Sequence, residues 1–317
     1  MKKILQELKK NNHFLIISHL SPDGDTLGSA AALCLALRSM GKKADCVVEG
    51  LIPKKLGFLL VHTAFITDKN MIGDDYDCAV AVDTATYARL GHFGEVFSAI
   101  PMRINIDHHV TNERYGMLNY VEDRAAVGEI MLDFIKQLGC KIDVPIANAL
   151  YAAISTDTGN FQYSNTSEQT LLAAAELRKC GAEIPKLCDE IYNRRSFAAT
   201  KLIGKALGHL NLYHEGKMAV LHMTLAEIAE CGASRTDCDI LVNYAREIET
   251  VEIAGFINEM PDGKFKVSFR SKNYADVAAF AGEYGGGGHV RAAGCVFEGP
   301  IDRIERIIVE KAKEYLK

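Results

Sequence analysis

The chain has 317 residues, 48% hydrophobic and 24% charged, with a net charge of −5. That composition is ordinary for a globular chain, the length is enough for two domains, and the acidic balance argues against a surface built to track long nucleic acid. No apolar run approaches the roughly 20 residues that cross a bilayer.

Met1–Leu8 lacks the apolar stretch of a secretory signal. The nine cysteines include no Cys-x-x-Cys pair, and Cys34, Cys46 and Cys78 lie in apolar runs. They read as small core residues in a reducing compartment, so the cytoplasm is expected.

The first half alternates strand and helix patterns. Phe14 to Ser18 is a short apolar run, read as a buried strand. Thr26 to Met40 is rich in Ala and Leu and stops at Gly41, which predicts a helix. Ala44–Val48, the wholly apolar Cys78–Val82 and Arg103–Ile106 are further strands. Ala125–Leu138, ending at Gly139, and Pro145 to about Ile154 are helices. Repeated strand–helix units predict an α/β fold, a parallel sheet with helices on both faces, whose ligands bind beyond the carboxyl ends of the strands.

The texture changes after about Asn193. Arg194 to Leu210 reads as a basic linker helix. Antiparallel-type strands are expected at Lys217–Met223, Val251–Glu259 and Phe265–Ser271, with a turn at Pro261-Asp262-Gly263 between the last two. A glycine-rich loop, Gly285–Gly288, precedes a strand at Ala292–Phe297 and a final helix at Ile301–Leu316. This part is read as a smaller α/β domain.

Four segments carry chemistry. In Ser18-His19-Leu20-Ser21-Pro22-Asp23-Gly24-Asp25-Thr26 a strand ends, a turn follows and a helix begins. Asp25 alone would be read as a helix cap, but His19 and Asp23 share its loop. Asp83 follows the strand Cys78–Val82, and Asp107-His108-His109 follows Arg103–Ile106. Asp157 ends a predicted helix, where a negative charge opposes the helix dipole and a cation would favour it.

His19, Asp23, Asp25, Asp83, His108 and Asp157, with Asp107 behind them, are too many ligands for one ion and suit two, with one carboxylate bridging. Oxygen ligands with a few imidazoles and no thiolate indicate Mn²⁺ first and Mg²⁺ second. In the second half, Gly286, Gly287, Gly288 and His289, with Arg291, Arg270 and Ser271, form a candidate phosphate site, because glycine lets backbone N–H groups approach an anion and arginine forks onto phosphate.

His19-x-x-x-Asp23-x-Asp25, Asp83, Asp107-His108-His109 and Asp157-Thr158-Gly159 resemble, in order, the four motifs of the DHH phosphoesterase family. Gly285-Gly286-Gly287-Gly288-His289 followed by Ala292-Ala293-Gly294 is similar to the signature of the DHH-associated (DHHA1) domain. The resemblance covers nearly the whole chain. It is specific as a combination, though no single motif is.

Size and layout are most similar to the nanoRNase/pAp phosphatase (NrnA-like) group. The resemblance implies a catalytic metal-binding domain at 1–193, the linker helix at 194–210, a substrate-binding domain at 211–317 and an active site in the cleft between the two domains. It implies hydrolysis of very short RNA to mononucleotides and of 3′-phosphoadenosine 5′-phosphate (pAp) to AMP, and a homodimer is in keeping with it.

By the same resemblance, His19, Asp23 and Asp83 hold one Mn²⁺, and Asp25, Asp83, His108 and Asp157 hold the other. Asp107 orients His108, and His109 faces the scissile phosphate. Arg270, Ser271, His289 and the glycine loop hold a second phosphate. Dinucleotide substrates fit this scheme, and long nucleic acid and membranes do not. A cyclic-di-AMP or pApA phosphodiesterase would share every one of these residues. A non-catalytic nucleotide sensor would be expected to lose some of them.

Overall fold

Alternation along the buried strands sets the layers of the first sheet. In β1 (His13–Ile17), Phe14 and Ile16 join one apolar cluster while Leu15 and Ile17 join another. Both faces of the strand are therefore covered, as an unbroken apolar run requires.

A computed structural model describes residues 1–317 and divides them into two units, Met1–Arg194 and Arg195–Lys317. In the first unit β2 (Lys43–Val47), β3 (Phe65–Ile66), β4 (Cys78–Val82), β5 (Met102–Asp107) and β6 (Leu118–Val121) complete a six-stranded sheet ordered β3-β2-β1-β4-β5-β6. Every pairing in it is parallel, in line with the strand–helix alternation.

The helices of this unit are α1 (Lys2–Lys10), α2 (Gly24–Ser39), α3 (Phe93–Ala99), α4 (Val127–Leu138), α5 (Val144–Asp157), α6 (Glu168–Lys179) and α7 (Ile184–Cys188). Leu27, Leu33, Ile130, Phe134 and Leu150 of α2, α4 and α5 cover one face of the sheet, and Phe93 and Phe97 of α3 cover the other. The strand order reverses between β1 and β4, which makes their carboxyl ends the switch point where such sheets bind ligands. Ile17 pairs with Ala81, and Val82 with Ile106, so β1, β4 and β5 end side by side.

Some elements carry little periodic signal. α6 leaves Leu171 and Leu172 exposed, and β3 is two residues long. α4 begins at Val127 rather than Ala125, for a reason that belongs to the site.

The second unit contains α8 (Phe197–Gly208), β7 (Asn211–Tyr213), β8 (Met218–Met223), α9 (Leu225–Glu230), α10 (Leu241–Arg246), β9 (Ile253–Glu259), β10 (Phe265–Ser271), α11 (Val277–Gly282), β11 (Gly287–His289), β12 (Ala292–Phe297) and α12 (Ile301–Ala312). Its sheet is ordered β11-β12-β10-β9-β8-β7. Val267, Phe269, Phe280, Ile304 and Ile308 fill one face, and Leu202, Leu221, Leu241, Val242 and Phe256 the other.

The expectation of antiparallel pairing is corrected at one place, where β8 runs parallel to β9. The segment between them holds α9 and α10 and forms a crossover, which a parallel pair needs and a hairpin cannot supply. The β9–β10 hairpin does turn at Pro261–Gly263, where Met260 N–H donates to Lys264 C=O at 2.8 Å.

The glycine-rich stretch is also more ordered than a loop, because Gly287–His289 pair with β12 as an edge strand. A side chain at Gly288 would meet the Ala292 carbonyl at 2.4 Å, so close strand packing already requires glycine there. All nine cysteines are free thiols. No helix is long and apolar enough to cross a membrane.

Candidate active site

Local hydrogen bonds at the ends of β1 and β4 fix the first group of side chains. The Thr26 hydroxyl donates to Val82 C=O at 3.0 Å and accepts from His19 N–H at 3.4 Å, tying the start of α2 to both strand ends. Asp23 caps α2: its Oδ1 accepts from the Asp25 and Thr26 N–H groups, each at 3.1 Å.

The cap is therefore Asp23 and not Asp25. Asp25 is fully buried and reaches the start of α4, where it accepts from Val127 N–H at 2.6 Å, Gly128 N–H at 2.9 Å and the Ser29 hydroxyl at 3.0 Å. These are orphan donors of a helix N-terminus, and their capture explains why α4 starts at Val127.

The predicted ligands converge. His19 Nε2 lies 3.8 Å from Asp23 Oδ1 and 3.5 Å from Asp83 Oδ2. His108 Nε2 lies 3.5 Å from Asp83 Oδ1 and 3.5 Å from Asp157 Oδ2. Three overlapping sets have ligand atoms within 4.8 Å of one another: His19, Asp23 and Asp83; Asp25, His108 and Asp157; and Asp83, His108 and His109.

Acceptor-only partners assign the ring protons. His108 Nδ1 donates to Arg124 C=O at 2.9 Å, which leaves its Nε2 lone pair facing Asp83 and Asp157. His109 Nδ1 donates to Asp107 Oδ1 at 2.8 Å, so the nitrogen that approaches Asp83 at 3.7 Å carries a proton and is not a ligand atom. Asp107 thus orients His109, where the family resemblance implied His108, and a backbone carbonyl orients His108. Asn112 holds the other oxygen of Asp107 at 2.5 Å.

The electrostatics call for cations. Burial pushes the Asp83 carboxyl well above the usual carboxylate range, and Asp23, Asp157 and Asp107 push it further. Burial, then Asp83, Asp157 and Asp23, do the same to Asp25. Burial followed by Asp23 raises Asp157 to about 6. Asp107 is also opposed by burial, yet the bonds and charge from His109 and Asn112 hold it below its ordinary value. Asp83 Oδ1 is buried without a hydrogen-bond partner, and the Asp83 backbone sits at φ 55. A buried, unpaired carboxylate oxygen among raised carboxyls fits a divalent cation, and carboxylate with imidazole is a suitable donor set.

Two pH effects follow with opposite signs. In the cation-free protein, Asp157 titrates at about 6, above its ordinary 3.8. The stability it contributes is complete below the ordinary value and is lost as pH rises through about 6. Cation binding must displace the same protons. Mn²⁺ affinity measured by calorimetry is therefore expected to climb as pH approaches 6, by up to about tenfold per pH unit for each proton displaced. Thermal unfolding on both sides of pH 6, with and without Mn²⁺, checks both signs.

In the second unit, register aligns Arg270 with Ala292 and Ala292 with His289, so Arg270 and His289 share one row and one face of the sheet. Ser271 lies buried at the end of β10, its hydroxyl 3.4 Å from Val290 C=O. Arg291 directs its guanidinium to the carbonyls of Ala275 and Asn273. Gly287 and Gly288 are exposed, and Gly286 is half-buried.

Sequence reasoning missed Asn112, Arg124 and Arg89. Arg124 serves through its backbone, which no residue pattern signals. Asn112 follows Asp107 closely enough to be considered, but asparagine five residues after a strand is a common turn residue.

The profile of the DHH family, N-terminal domain, matches residues 13–154, and that of the DHHA1 domain matches residues 216–317. The chain is 31% identical over 306 residues to the bifunctional oligoribonuclease and PAP phosphatase NrnA of Thermus thermophilus, across 95% of this chain and 89% of that one. It is 28% identical over 296 residues to the probable bifunctional oligoribonuclease and PAP phosphatase NrnA of Streptococcus mutans, across 92% of each. Its fold resembles that of an exopolyphosphatase-related protein from Bacteroides fragilis, with a TM-score of 0.91 at 24% identity over 99% of this chain and 95% of that chain.

Proposed function

We propose a substrate class for this enzyme from one premise: the chain belongs to the DHH family of hydrolytic phosphoesterases and carries a DHHA1 domain. It acts on very short RNA, releasing mononucleotides, and on pAp, releasing AMP, in keeping with the names of its relatives. The observation that carries the reading is Asp83, a buried carboxylate common to two donor sets with one oxygen unpaired.

His19, Asp23 and Asp83 would hold one cation, and Asp25, Asp83, His108 and Asp157 a second, with Mn²⁺ the first choice and Mg²⁺ the second. Bound there, the cations offset charge on the phosphoryl oxygens and acidify a water. His109, with Nδ1–H fixed by Asp107, keeps its Nε2 lone pair free to take up a proton and pass it to the leaving oxygen. Asp25 holds α4 against α2 through its backbone bonds, which keeps its carboxylate in place.

From the second unit, Arg270, Ser271, His289, Arg291 and Gly286–Gly288 bind the substrate, with the Arg270–His289 row taking a second phosphate. A demand for a second phosphate on the same ligand favours pAp and short oligomers over a lone phosphomonoester.

A side-by-side assay of pAp, pApA, cyclic di-AMP and short RNAs with Mn²⁺ or Mg²⁺ tests this. Turnover of pAp and short RNA above the cyclic dinucleotide is the expected result. Preference for cyclic di-AMP would replace the substrate class, and nucleotide binding without turnover would make the chain a sensor. Arg270→Ala is expected to raise KM about ten- to a hundredfold, the loss of one charge-assisted hydrogen bond, with Mn²⁺ affinity unchanged.

A further inference from the structure

Arg89 lies beside the candidate cation ligands and outside every motif that marks them. Its Nη2 is 2.9 Å from His19 Nδ1, and the same ring nitrogen is 2.7 Å from Leu20 C=O. One nitrogen cannot serve both partners. Toward the carbonyl it must donate, and toward the guanidinium it must accept. If His19 offers the Nε2 lone pair that faces Asp23 and Asp83, a neutral imidazole keeps its proton on Nδ1. Cation ligation therefore selects the Leu20 bond and sets the Arg89 N–H against another N–H.

The loop bearing Arg89 does not need that contact to hold its place. Leu20 N–H donates to Arg89 C=O at 2.8 Å. On the other side, the Glu49 carboxylate accepts from His92 N–H at 2.5 Å and lies 2.8 Å from His92 Nδ1. Gly91, at φ 59, permits this approach, because a Cβ there would stand 1.9 Å from Glu49 Oε2. The backbone is anchored on both flanks, and the side chain can re-aim without moving it. Its positive charge already acts on Asp83, the carboxylate common to both donor sets.

The geometry points to Arg89 as a phosphate-binding residue of the first unit: once a divalent cation has engaged His19 Nε2, the guanidinium leaves the ring and takes a phosphoryl oxygen of the substrate. This rests on the phosphoesterase reading above. A planar guanidinium suits the task because its N–H groups match two oxygens of one phosphate.

Calorimetry with Mn²⁺ alone, and then with AMP on the Mn²⁺-loaded protein, tests the assignment in wild type, Arg89→Ala and Arg89→Lys. Arg89→Ala is expected to weaken AMP binding about ten- to a hundredfold with Mn²⁺ affinity unchanged or tighter, and Arg89→Lys to recover part of the loss. Spectra of ¹⁵N-histidine protein should show His19 Nδ1 protonated once diamagnetic Mg²⁺ is added. Normal AMP binding in Arg89→Ala, with Mn²⁺ affinity lost in both variants, would reduce Arg89 to an anchor for His19 and overturn the assignment. A wild-type protein that bound AMP through Arg89 yet cleaved no phosphoester would instead remove the hydrolase reading and leave the assignment standing.

Discussion

Asp83→Ala is expected to lower phosphoester hydrolysis by at least about a thousandfold, the scale of several kcal/mol of lost charge stabilisation, while the chain stays folded. Asp83 lies 3.5 Å from both His19 Nε2 and His108 Nε2, so its removal opens both donor sets at once. The fold tolerates the change because the carboxylate has no structural employment comparable to that of Asp25. Its Oδ1 is unpaired, and burial with its acidic neighbours already disfavours its charge. Removing that charge relieves the cation-free protein, whereas alanine at φ 55 costs about 1–2 kcal/mol in the left-handed region.

Asp83→Asn separates these effects, since asparagine accepts that backbone more readily. Both variants are expected to lose turnover and Mn²⁺ stoichiometry, with the asparagine form unfolding at the higher temperature when cation-free. Normal turnover in either variant would end the paired-cation reading.

The rim of the first sheet was legible because a buried parallel sheet writes itself plainly. Cys78–Val82 is apolar throughout, so the Asp83 that follows it stands at the edge of a core strand. Asp107-His108-His109 ends β5 in the same way. Which histidine Asp107 serves was not legible, because β5 ends at Asp107 and both following rings turn toward Asp83. The resemblance implied His108, and the hydrogen bond goes to His109.

The use of Asp25 was not legible, because its donors Val127 and Gly128 lie about a hundred residues away and donate through backbone. Nor was the parallel β8–β9 pair, since hydrophobic alternation marks a strand without marking its direction. The alignment of Arg270 with His289 depends on β12 standing between their strands, a matter of register that neither segment shows alone.

Asp107→Asn is expected to cut turnover about a hundred- to ten-thousandfold, the range of a lost general acid, while Mn²⁺ affinity holds near its wild-type value. Asp107 is fully buried, and its two oxygens are divided between partners: Oδ1 accepts from His109 Nδ1 at 2.8 Å and Oδ2 from Asn112 Nδ2 at 2.5 Å. An asparagine there keeps its oxygen toward Asn112, because an amide N–H facing another amide N–H is repelled. Its own NH₂ then faces His109 Nδ1 and donates to it. The imidazole must move its proton to Nε2, and it loses the carboxylate that stabilised its charged form. His109 can then no longer take up a proton readily and pass it to a leaving oxygen. The cation ligands are untouched, since His108 takes its orientation from Arg124 C=O and not from Asp107. The pattern to look for is a fall in kcat with unchanged Mn²⁺ binding. Loss of Mn²⁺ binding in step with kcat would return Asp107 to the support of a metal ligand.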